Sequence, residues 1–409
     1  MLRRDFCKTV PALAGLALAL PRTAGAARFK ITDIRLTRVR LIRDKGIVPR
    51  RVGAGNAGGL PVQIGGFTTT EVHTDQGLVG LGPGILPGDL RAAKARLVGR
   101  DPFEMNEHAP ALFRQPSVGT DNYGYWGAPV EIALWDLLGK IADQPLYKLW
   151  GGSRERVLAY AAMWGIGTPE ERADKVAEVK AAGWTAVKLR SGFDTFKDDI
   201  RVVELVRKAV GDDFHILTDG NKAPGDANAA GEDPTMWTLR RAVETAREYQ
   251  RLGVYWFEEP LPRYALNLLA ELNRLVEIPL VGGEANWGLH EFKNYLDAGC
   301  YDILMPEILR VGPTQSRQVA ALAAAYNMRV TPHGATYERR FGNICALHLG
   351  ASWPNAPIVE FIHEPPNADI FEGWSVFEGA PTLDKDGYMV LPRGPGLGLT
   401  IRPDLIEKT

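Results

Sequence analysis

The chain has 409 residues, with 48 basic against 49 acidic side chains, 45% apolar and 24% charged residues. This is the composition of a globular protein and excludes a mostly disordered chain. Near-neutral charge without a long basic patch excludes the electrostatic footprint of a nucleic-acid binder. The length predicts two or three domains, or one large barrel with a smaller companion.

The first 27 residues differ from the rest. Arg3-Arg4-Asp5-Phe6-Cys7-Lys8 precedes an apolar stretch from Val10 to Leu20, and Ala24-Gly25-Ala26 offers small residues where a signal peptidase cuts. A positive start, a short apolar run and an A-x-A site describe an export signal. The paired arginines resemble a twin-arginine signal, so a periplasmic location is expected. The run is too short to span a bilayer, and Pro11 and Pro21 disfavour a long helix, so no membrane partner is expected once the signal is removed. Cys300 and Cys345 remain after its removal; they sit in apolar surroundings and read as buried core thiols.

Residues 28–155 read as an α+β domain. Ile31, Ile34, Leu36, Val39 and Leu41 punctuate strand-like segments, and Asp75-Gln76-Gly77 marks a hairpin turn. A helix opens near Pro129, with Val130, Ala133, Leu134, Leu137, Leu138 and Ile141 at helical spacing. From Arg156 the pattern becomes regular. Short apolar runs at Leu158–Met163, Ala186–Leu189, His215–Thr218, Val254–Phe257, Pro279–Val281, Ile303–Met305, Arg329–Thr331 and Ile358–Phe361 alternate with amphipathic stretches. Strand–helix repeats of this kind imply parallel strands in a TIM-like β/α barrel over residues 156–375. Residues 376–409, rich in Pro and Gly, form a tail expected to return to the first domain. Trp135, Trp150, Trp256 and Tyr326 fit core positions.

The ionisable residues fall at the carboxyl ends of these strands: Lys188 and Arg190, Asp219, Glu258 and Glu259, Glu284, Glu307, His333, Glu360. Steps from Lys188 are 31, 39, 26, 23, 26 and 27 residues, close to one β/α unit each. In a closed barrel these ends meet at one face, where such folds place their chemistry. An acid after a strand is, taken singly, more simply a helix N-cap. Seven successive strand ends with ionisable groups are not accounted for by capping alone.

Asp219, Glu258 and Glu284 come from three consecutive strands. Three converging carboxylates repel, and their ionised form needs a cation. All-oxygen donors suit one hard ion, Mg²⁺ with Mn²⁺ as the alternative, and no cysteine or paired histidine favours zinc. Lys188 and His333 would flank it, with Glu307 orienting the imidazole. His73, His108, His215, His290, His348 and His363 lack such partners and read as structural. Gly53-Ala-Gly55-Asn-Ala-Gly58 matches G-x-G-x-x-G as a string, but Leu60-Pro61 follows where a nucleotide-binding helix would start.

These residues resemble the enolase superfamily, in its mandelate racemase-like branch. The resemblance covers nearly all of the chain beyond the signal. Glu131-Ile-Ala-Leu-Trp-Asp136 with Gln144-Pro145 to Gly151-Gly152 resembles the end of the family's capping domain. Thr218-Asp219-Gly-Asn221, Phe257-Glu258-Glu259-Pro260 and Gly283-Glu284-Ala285 resemble the metal-ligand strand ends, which makes Glu258, not Glu259, the ligand. Pro306-Glu307 and Pro332-His333-Gly334 resemble the acid–His dyad, and Pro395-Gly396-Leu397-Gly398 the closing segment. The resemblance implies a modified (β/α)7β barrel with an α+β capping domain completed by the C-terminal tail. Two positions depart from the pattern. Lys188-Leu189-Arg190 stands where K-x-K is common, and Glu307 where aspartate is usual. The Asn221–Pro234 stretch reads as an insertion beside the site.

The resemblance implies abstraction of a proton next to a carboxylate, through an enediolate. His333, assisted by Glu307, acts as base or acid on one face. Lys188 neutralises the substrate carboxylate, Asn221 contacts the substrate, and Glu360, if protonated, donates to the developing oxyanion. Arg190 stays protonated at neutral pH and is a poor base, so one face lacks a proton carrier. That predicts an acid-sugar dehydratase, with a racemase, epimerase or cycloisomerase as the alternative enzyme and an exported sugar-acid binding protein as the alternative outside catalysis. The capping-domain segments Val48–Gln63 and Pro83–Asp89 are expected to select the substrate, and a homo-oligomer is expected.

Overall fold

The computed structural model describes residues 28–52, 56–113, 127–193, 195–223, 236–334 and 340–407. The expected export signal and the Asn221–Pro234 stretch beyond Ala223 lie outside the described residues.

The N-terminal domain is a small antiparallel sheet backed by helices. Strands β1 (Ile31–Arg38), β4 (Thr68–Thr74) and β5 (Val79–Pro83) pair in the order β1-β4-β5, while β2 (Arg43–Val52) and β3 (Asn56–Ile64) form a separate hairpin. Helices α1 (Pro87–Leu97), α2 (Met105–Leu112), α3 (Gly127–Ile141) and α4 (Leu146–Leu149) follow. α3 is apolar on nearly every side because it lies between two cores. Val130, Leu134 and Leu137 meet Ile31, Ile34 and Val72 of the sheet, while Ile132 joins the barrel's outer core.

Eight parallel strands follow: β6 (Arg156–Ala162), β7 (Ala186–Arg190), β8 (His215–Asp219), β9 (Trp256–Glu258), β10 (Leu280–Gly282), β11 (Ile303–Leu304), β12 (Arg329–Val330) and β13 (Val359–Ile362). Each overlaps one of the eight apolar runs. Seven helices connect them: α5 (Pro169–Ala181), α6 (Phe196–Val210), α7 (Leu239–Arg251), α8 (Leu266–Leu275), α9 (Gly288–Ala298), α10 (Ile308–Ala325) and α11 (Arg340–Ser352). β13 pairs with β6, bringing last strand against first. This is a (β/α)7β barrel. Thr168, Thr195 and Thr238 cap α5, α6 and α7 by accepting N–H bonds three residues on, so each of these helices starts cleanly after its loop.

Strand alternation sets what faces inward. Val187, Leu189, Ile216, Phe257, Val359 and Phe361 point out to the helices, while Ala186, Leu217, Trp256 and Ile362 fill the barrel. The same parity that buries Ala186, Leu217 and Trp256 turns Lys188, Asp219 and Glu258 inward two residues later. Tyr160 and Trp256, edge to face at 5.4 Å, pack among these inward residues. Val48 and Val62 of the β2–β3 hairpin join that inner cluster.

After α12 (Ile370–Trp374) the tail adds β14 (Phe377–Glu378), β15 (Thr382–Leu383), β16 (Tyr388–Val390) and β17 (Thr400–Ile401). β16 lies antiparallel to the start of β6, so part of the tail extends the barrel sheet. The rest runs back to the N-terminal domain. Leu397 N–H donates to Asp136 Oδ1 at 2.7 Å, and Arg40 N–H donates to the Leu405 carbonyl at 2.8 Å. Cys300 and Cys345 are buried free thiols, and burial pushes Cys300 up to about 12. Tyr326 departs from its expected core position. It follows the last helical residue of α10 at 43% exposure and donates its hydroxyl proton to Asp297 at 2.8 Å, while Ala323 in the same turn stays buried.

Candidate active site

Asp219 and Glu258 are the inward terminal residues of β8 and β9, and Glu284 follows β10 by two residues. All three are buried, and one oxygen from each lies within 4.8 Å of the others. Asn221 holds Asp219 in place. Its backbone N–H donates to Asp219 Oδ1 at 2.8 Å and its side-chain amide to Oδ2 at 3.2 Å. Arg190 forms an ion pair with the same Oδ2 and donates to Asn221 Oδ1 at 2.6 Å.

Lys188 is fully buried among carboxylates. Its ammonium lies 3.0 Å from Glu258 Oε1, 2.7 Å from Glu360 Oε1 and 3.4 Å from Asp219 Oδ2. Burial opposes its charge, but Glu258, Glu360 and Asp219 outweigh burial and raise its pKa. Lys188 is therefore a fixed cation. Burial is likewise outweighed at Arg190, where Asp219 and Glu284 raise the pKa.

His333 stands between two acids. Nδ1 forms a hydrogen bond with Glu307, and Nε2 lies 2.9 Å from Glu284 Oε2 and 3.5 Å from Glu360 Oε2. Glu307 is itself anchored, its Oε1 accepting from Leu309 N–H at 2.7 Å. With Nδ1 committed to Glu307, Nε2 is the nitrogen that faces the metal-ligand cluster. Burial would lower the imidazole pKa, but Glu284, Glu360 and Glu307 raise it well above the ordinary value.

The donor set fits a hard divalent ion. Three oxygen donors converge in a buried site, and Glu284 Oε2 accepts no aligned hydrogen bond despite its approach to His333. Burial and Asp219, opposed by Lys188, push the Glu258 carboxyl well above its usual range. Among the described residues, two permanent cations, Lys188 and Arg190, pair with members of this acidic cluster of Asp219, Glu258, Glu284, Glu307 and Glu360.

The structure thus gathers Lys188, Arg190, Asp219, Asn221, Glu258, Glu284, Glu307, His333 and Glu360 at one end of the barrel. Glu360 accepts from Gly334 N–H at 2.9 Å. Burial favours its protonated form, but Lys188, His333 and Arg190 outweigh burial and hold the carboxyl below its usual range. Glu259 was set aside in favour of Glu258 on the family resemblance, and strand alternation would send it away from the interior. It is buried at a positive φ of 44°, which breaks the alternation, and its Oε1 has no hydrogen-bond partner.

Residues 171–405 match the family described as enolase C-terminal domain-like, and residues 61–151 match the mandelate racemase / muconate lactonizing enzyme N-terminal domain. The chain belongs to the enolase superfamily. Within its mandelate racemase / muconate lactonizing enzyme family, the chain is 28% identical to the arabinonate dehydratase of Saccharolobus solfataricus, over 85% of this chain and 91% of that protein. It is also 28% identical to the D-galactarolactone cycloisomerase of Agrobacterium fabrum, over 83% and 89% of the two chains. A racemase from Streptomyces coelicolor A3(2), solved with bound magnesium, superposes with a TM-score of 0.71 at 25% identity, covering 92% of this chain and all 100% of that one. This chain thus joins the superfamily's proton-abstraction chemistry to a buried Asp219–Glu258–Glu284 metal-ligand triad.

Proposed function

We propose that the protein is an acid-sugar dehydratase, converting an aldonate or aldarate to a 2-keto-3-deoxy acid with Mg²⁺ bound by Asp219, Glu258 and Glu284. The observation that carries this reading is the asymmetry of proton carriers. His333 Nε2 is free of Glu307 and faces the cluster, while Lys188 is held by three carboxylates and Arg190 by Asp219 and Asn221. Dehydration needs one carrier, and racemisation needs two.

In the reaction, His333 Nε2 accepts the proton next to the substrate carboxylate, and Glu307 steadies the imidazolium that forms. A divalent ion among the three carboxylates would stabilise the enediolate charge and offset the acids that hold His333 protonated. Lys188 presents fixed positive charge beside the substrate carboxylate. His333 returns its proton to the departing β-hydroxyl, water leaves, and the resulting enol rearranges to the keto acid. The proton taken is the proton delivered, so one imidazole completes the cycle.

The similarity to an arabinonate dehydratase supports this reading. Cycloisomerisation is the second reading, favoured by the equal identity to a cycloisomerase, and it too needs only one carrier. A screen of aldonates, aldarates and aldarolactones with Mg²⁺ tests both, with release of a 2-keto-3-deoxy acid as the expected result. Opening of a lactone without loss of water would favour cycloisomerisation. Substrate recovered from D₂O with inverted configuration and deuterium at C2, and no keto acid, would overturn the proposal.

A further inference from the structure

α10 is two helices in series. Its first turn is capped by Glu307, whose carbonyl accepts from Arg310 and Val311 N–H at 3.0 Å each. At Gly312 the backbone leaves helical geometry (φ 75°, ψ 164°), and Pro313 opens the second, longer stretch. A helix starting there exposes N–H groups with no intrahelical acceptor. Its N-cap residue is a glycine, which has no side chain to receive them.

The acceptor comes from the other domain. Thr314 N–H, at the second helical position, donates to Glu131 Oε1 on α3 at 2.7 Å. Trp135 Nε1 braces the pair, 3.3 Å from Glu131 Oε1 and 3.1 Å from Thr314 Oγ1. A Cβ on Gly312 would lie 2.0 Å from Glu131 Oε2, so the glycine also vacates the space that the carboxylate fills. Glu131 is fully buried, its Oε2 has no hydrogen-bond partner, and the proton-transfer scheme does not use it. Burial pushes its carboxyl up to about 7, against the bonds from Thr314 and Trp135 and the charge of Arg317. A carboxyl at a helix N-terminus is favoured electrostatically as well as by its hydrogen bond.

We propose that Glu131 is a positioning residue for proton transfer: it caps in trans the helix that begins at Pro313, and so fixes the Glu307–Val311 turn and the Glu307–His333 pair. The chain passes from the turn to that helix through Gly312, where the backbone leaves helical geometry, so loss of the cap would let it pivot there. The proposal rests on the role given above to His333 and Glu307, and it is separable from the choice of substrate.

Amide hydrogen exchange resolved at Leu309 and Thr314, read with steady-state kinetics, tests it. Glu131→Gln keeps an oxygen for Thr314 and is expected to retain wild-type exchange and turnover. Glu131→Ala, and Glu131→Asp with its shorter arm, are expected to speed exchange at both amides. They should lower kcat by about 10- to 100-fold with KM within about twofold, the cost of a small misplacement of reacting groups. Glu131→Asp keeps the test open if the alanine variant does not fold. Wild-type exchange at Leu309 in Glu131→Asp would overturn the proposal, as would a kcat loss in Glu131→Gln matching that of Glu131→Asp. A wild-type protein inert toward every acid sugar would remove the dehydratase reading, and the Leu309 exchange would still decide this one.

Discussion

His333 Nε2 lies 2.9 Å from one metal-ligand oxygen, while Nδ1 is committed to Glu307. The two nitrogens divide the work, one oriented and one reactive, and this division separates two functions by mutation. Glu284→Gln removes one of three charged donors and should weaken Mg²⁺ binding by at least about tenfold, since losing even an outer partner of a metal ligand costs 10- to 100-fold. His333→Asn leaves all three donors in place. It should lower turnover by about 10²- to 10⁴-fold, the usual contribution of a positioned acid–base group, with Mg²⁺ affinity nearly unchanged. Calorimetric Mg²⁺ titration beside keto-acid release measures both. Unchanged Mg²⁺ affinity in Glu284→Gln, or full activity in His333→Asn, would contradict the assignment.

Among elements, the mouth of the barrel is tied together where the first strand meets the last. Glu364, two residues beyond β13, accepts from Trp164 N–H at 2.9 Å and Gly165 N–H at 2.7 Å, both just past β6, and forms a buried ion pair with Arg172 of α5. Arg172→Met would strand a buried carboxylate, and a lost partner of this kind costs about 3–5 kcal/mol. Glu364→Gln keeps acceptors for the two N–H groups and should cost less than Arg172→Met. Urea unfolding of the two variants gives the order, and equal stability would show that the pair is not what holds this seam. These elements differ in how far the sequence discloses them. The eight barrel strands were legible because each is an apolar run, seven of them with an ionisable residue at or near the carboxyl end, and the parity that buries Leu217 also turns Asp219 inward. The break in α10 was not, because it rests on the positive φ at Gly312 and on the approach of Glu131 and Phe113 to it, which only the folded chain brings about. The tail strands were not, because β14, β15 and β17 have two residues each and carry no period. Glu259 was hidden by a local turn, since its positive φ cancels the alternation that would face it outward.

At the scale of the whole molecule, the two domains share a buried acid. Glu131 has an ordinary carboxyl pKa near 4.5 when unfolded, and burial between α3 and α10 raises it to about 7 in the folded chain. The folded state therefore binds more protons than the unfolded state between these values, and stability falls as pH rises through that window. The contribution is whole below about pH 4.5 and is lost as pH passes 7. Its size is about 3 kcal/mol at 1.36 kcal/mol per pH unit. Other groups add their own pH dependence, the metal-site acids above all, so the informative quantity is the difference between the wild-type protein and Glu131→Gln. The amide keeps the bond to Thr314 and cannot ionise. Chemical unfolding from pH 4.5 to 8 at fixed Mg²⁺ should show Glu131→Gln gaining on the wild type by up to that amount as pH rises, with most of the change complete by pH 8. Parallel stability curves would mean that Glu131 ionises as easily in the folded chain as in the unfolded one, and that the interface is wetter than its packing implies.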